Sequence, residues 1–112
     1  MEFKMYQEKD IELIKDLILD HVPNAEQIIL FGSYARGDAN QSSDIDFIVL
    51  TDSIIERKEK LKLISKIRWE TTKLGFDIDI LIKEKNVFLQ DSALPTLSRV
   101  IKEEGKFLWV KN

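Results

Sequence analysis

The residues whose types and spacing can do chemistry are Gly32-Ser33 and, a short stretch later, Asp44-Ile45-Asp46. Glycine allows backbone conformations and close approaches that other residues cannot make. Between the apolar run Ile28-Ile29-Leu30-Phe31 and a helical turn, a Gly-Ser pair leaves backbone N–H groups pointing outward, and such amides favour phosphate. Asp44 and Asp46 run straight into Phe47-Ile48-Val49-Leu50. In a strand, alternate side chains share a face, so the two carboxylates sit on one side, roughly 6.6 Å apart along the chain. Carboxylates this close repel each other unless a cation lies between them. Oxygen-only donors suit Mg²⁺ shared with the phosphates of a nucleotide. The stretch reads as a holder for a metal and a triphosphate.

Positioning these groups needs strands on either side of the Gly-Ser turn and helices to cover them. Gln7 to about His21 carries Ile11, Ile14, Ile18 and Val22 at helical spacing, widened by Leu13 and Leu17, and Pro23-Asn24 ends it. Glu26 to Phe31 reads as the first strand, Tyr34 to Gly37 as one helical turn, and Asp38 to Ser43 as a polar loop. Asp44 to Leu50 is a second strand, apolar on both faces beyond Asp46 and therefore central. Asp52 or Ser53 can cap a helix that runs to Leu74 and stops at Gly75, with Ile54, Leu61, Ile64, Ile67 and Leu74 as its core stripe. Phe76 to Ile82 is a third strand, with Asp77 and Asp79 on one face. Asn86 can cap a short helical turn, and Pro95 suits the first turn of a helix from Leu94 to Glu104 closed by Gly105. Lys106 to Val110 reads as a last strand at a sheet edge. This alternation predicts an α/β fold, a small mixed sheet with helices packed on it.

A sequence of 112 residues predicts one domain, 1–112, with a real but modest core. Net charge is −3, so neither a basic face nor direct nucleic-acid binding is expected. Cysteine is absent, which excludes disulfides and thiolate metal sites and fits a cytoplasmic setting. No apolar run approaches the roughly 20 residues of a membrane span, and no signal-peptide pattern opens the chain.

Gly32-Ser33, Arg36-Gly37 and Ser43-Asp44-Ile45-Asp46 resemble the GSxxRG…SDID signature of the minimal nucleotidyltransferase family, within the DNA-polymerase-β-like nucleotidyltransferase superfamily. The resemblance implies the nucleotidyltransferase core fold and transfer of a nucleoside monophosphate, with AMP from ATP foremost, onto a hydroxyl. It implies a third carboxylate on the strand beside the Asp-x-Asp strand, in an apolar-Asp-apolar pattern. Ile78-Asp79-Ile80 matches best, with Asp77 left as the alternative. Asp44 and Asp46 would hold two Mg²⁺ ions about 3.5–4 Å apart, with Asp79 holding the one at the incoming hydroxyl and helping to remove its proton. Gly32, Ser33, Arg36 and Ser43 would bind the nucleotide.

The family also implies a partner. Many minimal nucleotidyltransferases are antitoxins that adenylylate a tyrosine of a HEPN-domain ribonuclease toxin; the small core by itself suggests only a macromolecular acceptor supplied by a partner. Two other readings stand beside it: an antitoxin that neutralises by occlusion, and an enzyme that modifies a small molecule such as an aminoglycoside, its pocket completed by a second copy through Phe107-Leu108-Trp109. Plainer roles compete at several positions. Gly32 can be a turn glycine and Ser33 a helix cap; Arg36 can pair with Asp44 or Asp46, and Ser43 can orient the loop. Trp69 and Trp109 read as core or interface residues, His21 as a helix-end group, and Glu56 to Lys60 as a solvated helix face.

Overall fold

The computed structural model describes residues 5–112. Helix α1 (Glu8–His21) leads into strand β1 (Ala25–Phe31), the short helix α2 (Ser33–Arg36) and strand β2 (Ile45–Thr51). Helix α3 (Arg57–Lys73) crosses to β3 (Ile78–Glu84), followed by α4 (Lys85–Asp91), α5 (Leu97–Glu104) and β4 (Lys106–Val110). The strands form one sheet in the order β3-β2-β1-β4. β1 runs antiparallel to both β2 and β4, while β2 and β3 are parallel, so the sheet is mixed as predicted.

Alternation along the strands sorts the apolar side chains to two faces. Ile28, Leu30, Ile45, Phe47, Val49, Ile78, Ile80 and Ile82 meet Ile11, Ile14 and Ile18 of α1 and Ile67 of α3. Ile29, Ile48 and Leu50 face the other way, onto Phe88 of α4 and Ile101 of α5. β2 is buried on both sides and flanked by strands, the central position its sequence indicated. β4 lies at the edge, with Phe107 exposed. Among the described residues, no helix is long and apolar enough to cross a membrane.

Several boundaries differ from the sequence reading. α3 begins at Arg57 after Glu56, without a side-chain cap from Asp52 or Ser53. Those residues are tied elsewhere: Asp52 N–H donates to the Asn24 carbonyl at 3.1 Å, and Asn24 Nδ2 donates to Ser53 Oγ at 3.3 Å. Ile54 therefore lies outside the helix and is 76% exposed. Leu61 and Leu74, assigned to the core stripe, are also exposed, because α3 presents Ile67 and Thr71 to the sheet with Leu63 and Ile64 beside them. Trp69, expected in a core or interface, is 67% exposed on the outward side, among lysines that make this helix the most basic element of an acidic chain.

β3 begins at Ile78, so Phe76 and Asp77 precede the strand. α4 is capped by Glu84, whose carboxylate accepts from the Asn86 and Val87 amides, so Asn86 lies inside the first turn. α5 begins at Leu97 with Thr96 as its cap, leaving Pro95 ahead of the helix.

Gly105 ends α5 and admits β4. Its N–H donates to the Ile101 carbonyl at 2.7 Å, and a Cβ there would collide with that carbonyl and with Ile29 Cγ2. Its φ is −70°, so the requirement is for space alone. Since a backbone carbonyl cannot turn aside as a side chain does, Gly105→Ala should destabilise the fold by about 1–3 kcal/mol. Urea unfolding measures this, and an unchanged midpoint would refute the packing argument.

Candidate active site

The site forms where β1 ends beside the start of β2. Antiparallel pairing sets Phe31 opposite Asp46, so the next residue, Gly32, turns away just as the Asp46 carboxylate rises from the sheet. Gly32 has φ +74° and ψ −154°, a conformation open essentially to glycine alone. A Cβ on Gly32 would overlap the Asp46 carboxylate and stand 3.1 Å from its Cγ. The glycine is therefore needed for the carboxylate to lie over bare backbone as well as for the turn.

Gly32 caps α2, its carbonyl accepting from the Ala35 and Arg36 amides at 3.1 and 3.0 Å. The amides of Ser33 and Tyr34 are first-turn donors with no intrahelical partner. Ser33 opens the helix, and its hydroxyl has no hydrogen-bond partner among the described residues. Gly37, at φ +84°, closes the turn and brings the chain back. Asp38 then lies alongside Arg36, whose Nε donates to Asp38 Oδ2 at 3.2 Å while its Nη1 stands 3.6 Å from Glu104 Oε2. Arg36 thus pairs with Asp38 and Glu104 rather than with Asp44 or Asp46, and Asp38 raises its pKa. Glu104, at the end of α5, was not anticipated; nothing in its local sequence signals that the fold brings it here.

The loop before β2 is closed by its own polar groups. Ser43 Oγ accepts from the Asn40 amide at 2.9 Å and Ser43 N–H donates to the Asn40 carbonyl at 3.0 Å. Asn40 Oδ1 accepts from both the amide and the hydroxyl of Ser42. Ser43 is engaged in holding this loop, which delivers Asp44 at its end.

Parallel pairing sets Asp79 directly opposite Asp46. Asp77 lies ahead of the strand, its carbonyl accepting from Ile45 N–H at 3.1 Å. Burial raises the pKa of Asp46, the charges of Asp79 and Asp44 raise it further, and Arg36 only partly opposes them. Asp77 does not contribute to that shift. Asp44, Asp46 and Asp79 are therefore the carboxylates brought together. Asp44 and Asp79 are exposed and lean on Asp46 through their charge. Among the described residues, no group of three stands ready at metal-ligand distances. The donor set still fits a hard dication: oxygen-only, mutually repelling, and free to turn at two of its three members.

This repulsion has a sign that can be measured. A carboxyl that binds its proton more tightly in the folded state makes stability fall as pH rises from the ordinary aspartate range through its raised folded value. Without divalent ions, Asp46→Asn should unfold at a higher temperature than wild type at neutral pH, and the gap should close below the ordinary aspartate range. Mg²⁺ should raise the melting temperature of wild type and leave that of the variant unmoved. Thermal unfolding across this range, with chelator and then with MgCl₂, tests both; identical curves for the two proteins would remove the repulsion argument.

The family pattern described as "Nucleotidyltransferase domain" matches residues 6–108. The protein adenylyltransferase MntA of Shewanella oneidensis is 32% identical over 105 residues, spanning 94% of this chain and 68% of that protein. The putative protein adenylyltransferase MJ0604 of Methanocaldococcus jannaschii is 31% identical over 106 residues, 94% of this chain and all of that one. A solved toxin–antitoxin structure with AMP-PNP superposes with a TM-score of 0.63 at 27% identity, covering 92% of this chain and 74% of the matched chain. A complex of a tri-AMPylated Shewanella oneidensis HEPN toxin with an MNT antitoxin gives 0.63 at 26% identity, covering 95% and 74%. By the extent of these matches and the fold they share, the chain belongs to the nucleotidyltransferase domain family.

Proposed function

We propose that this chain, read throughout as one nucleotidyltransferase domain, transfers AMP from ATP to a tyrosine hydroxyl of a HEPN-type toxin and acts in the cytoplasm as its antitoxin. The observation that carries the reading is the group of Asp44, Asp46 and Asp79 around the bare backbone of Gly32. Support for the acceptor comes from MntA, a protein adenylyltransferase, and from the AMPylated toxin bound to an MNT antitoxin.

Asp44 and Asp46 would hold Mg²⁺ at the α-phosphate, and Asp79 would hold it at the incoming hydroxyl. Bound there, the metal would neutralise charge on the attacking and leaving oxygens. The acceptor oxygen attacks the α-phosphorus, the bond from that phosphorus to the bridging oxygen breaks, and pyrophosphate departs. The hydroxyl proton passes to Asp79, a positioned carboxylate of the kind that serves as a general base. The Ser33 hydroxyl and the Ser33 and Tyr34 amides would receive the β- and γ-phosphates, at the end of the short helix where donors are unpartnered. Arg36, shared between Asp38 and Glu104, holds the outer wall of this loop and lends positive charge toward Asp46.

ATP labelled at its α-phosphate, incubated with the protein, Mg²⁺ and an extract of its source cell, should label one protein band. Asp44→Asn and Asp46→Asn should each reduce that label to background while keeping the fold. A labelled small molecule would point to a different acceptor class. No label with any nucleotide, alongside tight partner binding, would make the protein an occluding antitoxin. Asp79→Asn should also abolish labelling and Asp77→Asn should retain it; the reverse pattern would transfer the third role to Asp77.

A further inference from the structure

We infer that Tyr6 is a positioning residue that ties together the three segments of the site, an inference that rests on the transfer reading above. No spacing in the sequence marks Tyr6. It lies just ahead of Gln7, the cap of α1, and belongs to no helix or strand. Its backbone N–H donates to the Tyr34 hydroxyl at 3.2 Å. Its own hydroxyl accepts from Asp77 N–H at 2.9 Å. The Asp77 carbonyl, in turn, accepts from Ile45 N–H. The Tyr6 ring packs 5.8 Å from that of Tyr34 and, edge-on, 5.6 Å from that of Phe76.

Each anchor adjoins a site residue. Tyr34 follows Ser33 in α2, Ile45 lies between Asp44 and Asp46, and Asp77 leads into β3 just before Asp79. One residue therefore reaches the phosphate turn directly and, through Asp77, the starts of both carboxylate strands. The tie matters because the carboxylates cluster where the strands begin, with Asp79 directly opposite Asp46 and Asp44 just ahead of the ladder. The β2–β3 ladder begins at the Ile45–Ile78 pair, so the carboxylates stand at its fraying end. Misplacing a reacting group by about 1 Å can cost roughly a hundredfold in rate. The Tyr6 hydroxyl holds the strand starts in register at that end.

Tyr6→Phe keeps the ring and removes only the hydroxyl. We expect kcat for label transfer to fall about tenfold, the loss of one hydrogen bond's net worth, with KM for ATP unchanged. Hydrogen exchange at the Ile45 and Asp77 amides should quicken by a similar factor while the Ile67 amide in α3 stays protected. Unchanged exchange at Ile45 and Asp77 would overturn the tie. Equal acceleration at Ile67 would reduce Tyr6 to a general stability role, and loosened amides with unchanged kcat would remove its role in transfer. If wild type transfers no label at all, the functional reading fails, and amide exchange still judges the tie.

Discussion

The carboxylate of Asp46 lies against the backbone of Gly32, and the geometry of the site depends on that contact. It requires a residue without a side chain, in a conformation only glycine readily takes, placed where an antiparallel neighbour delivers an aspartate. The pairing of Phe31 with Asp46 supplies the register, and a slip of one residue would turn Asp46 into the isoleucine-lined core. Each strand residue that follows Asp46 is buried, so the carboxylate stands at the entrance to the buried length of β2.

The two faces of the sheet divide the work. One is sealed by α1 and α3 over a large apolar cluster. The other is covered by α4 and α5 along the half of β2 that holds Ile48 and Leu50, leaving open the half that holds Asp46. The folded state thus contains mutually repelling carboxylates whose electrostatic cost the isoleucine core offsets, as is common where function and stability compete.

Much of this was legible in the sequence where local patterns carry it. The Gly-Ser turn, the Asp-x-Asp pair entering an apolar strand, and the helical stripe of Ile11, Ile14 and Ile18 each reflect a short-range constraint. Misread positions were decided by contacts between distant segments. Ser53 looked like a helix cap until Asn24 claimed it, and Arg36 looked free to meet Asp46 until the turn at Gly37 brought Asp38 beside it. Leu61 and Leu74 carry apolar side chains that periodicity assigns inward, yet the sheet accepts only the Ile67–Thr71 side of that helix. Asp79 matched best by its apolar neighbours, with Asp77 one alternation away; Asp79 lies within β3 and Asp77 just ahead of it. Tyr6 acts entirely through partners on other elements, which no local pattern can report.

The position of β4 bears on how the protein is made. β1 finds its first partner, β2, soon after synthesis, but its other edge stays unpaired until β4 follows, far along the chain. Closing so long a loop is slow, and an open strand edge invites pairing with other chains. Glu104, the second anion on Arg36, arrives with that same late segment. A chain in which β4 has yet to form therefore exposes the flank of Gln27 to Leu30 and lacks Glu104 beside Arg36. The interval before β4 forms is therefore when the chain is most open to pairing with its neighbours.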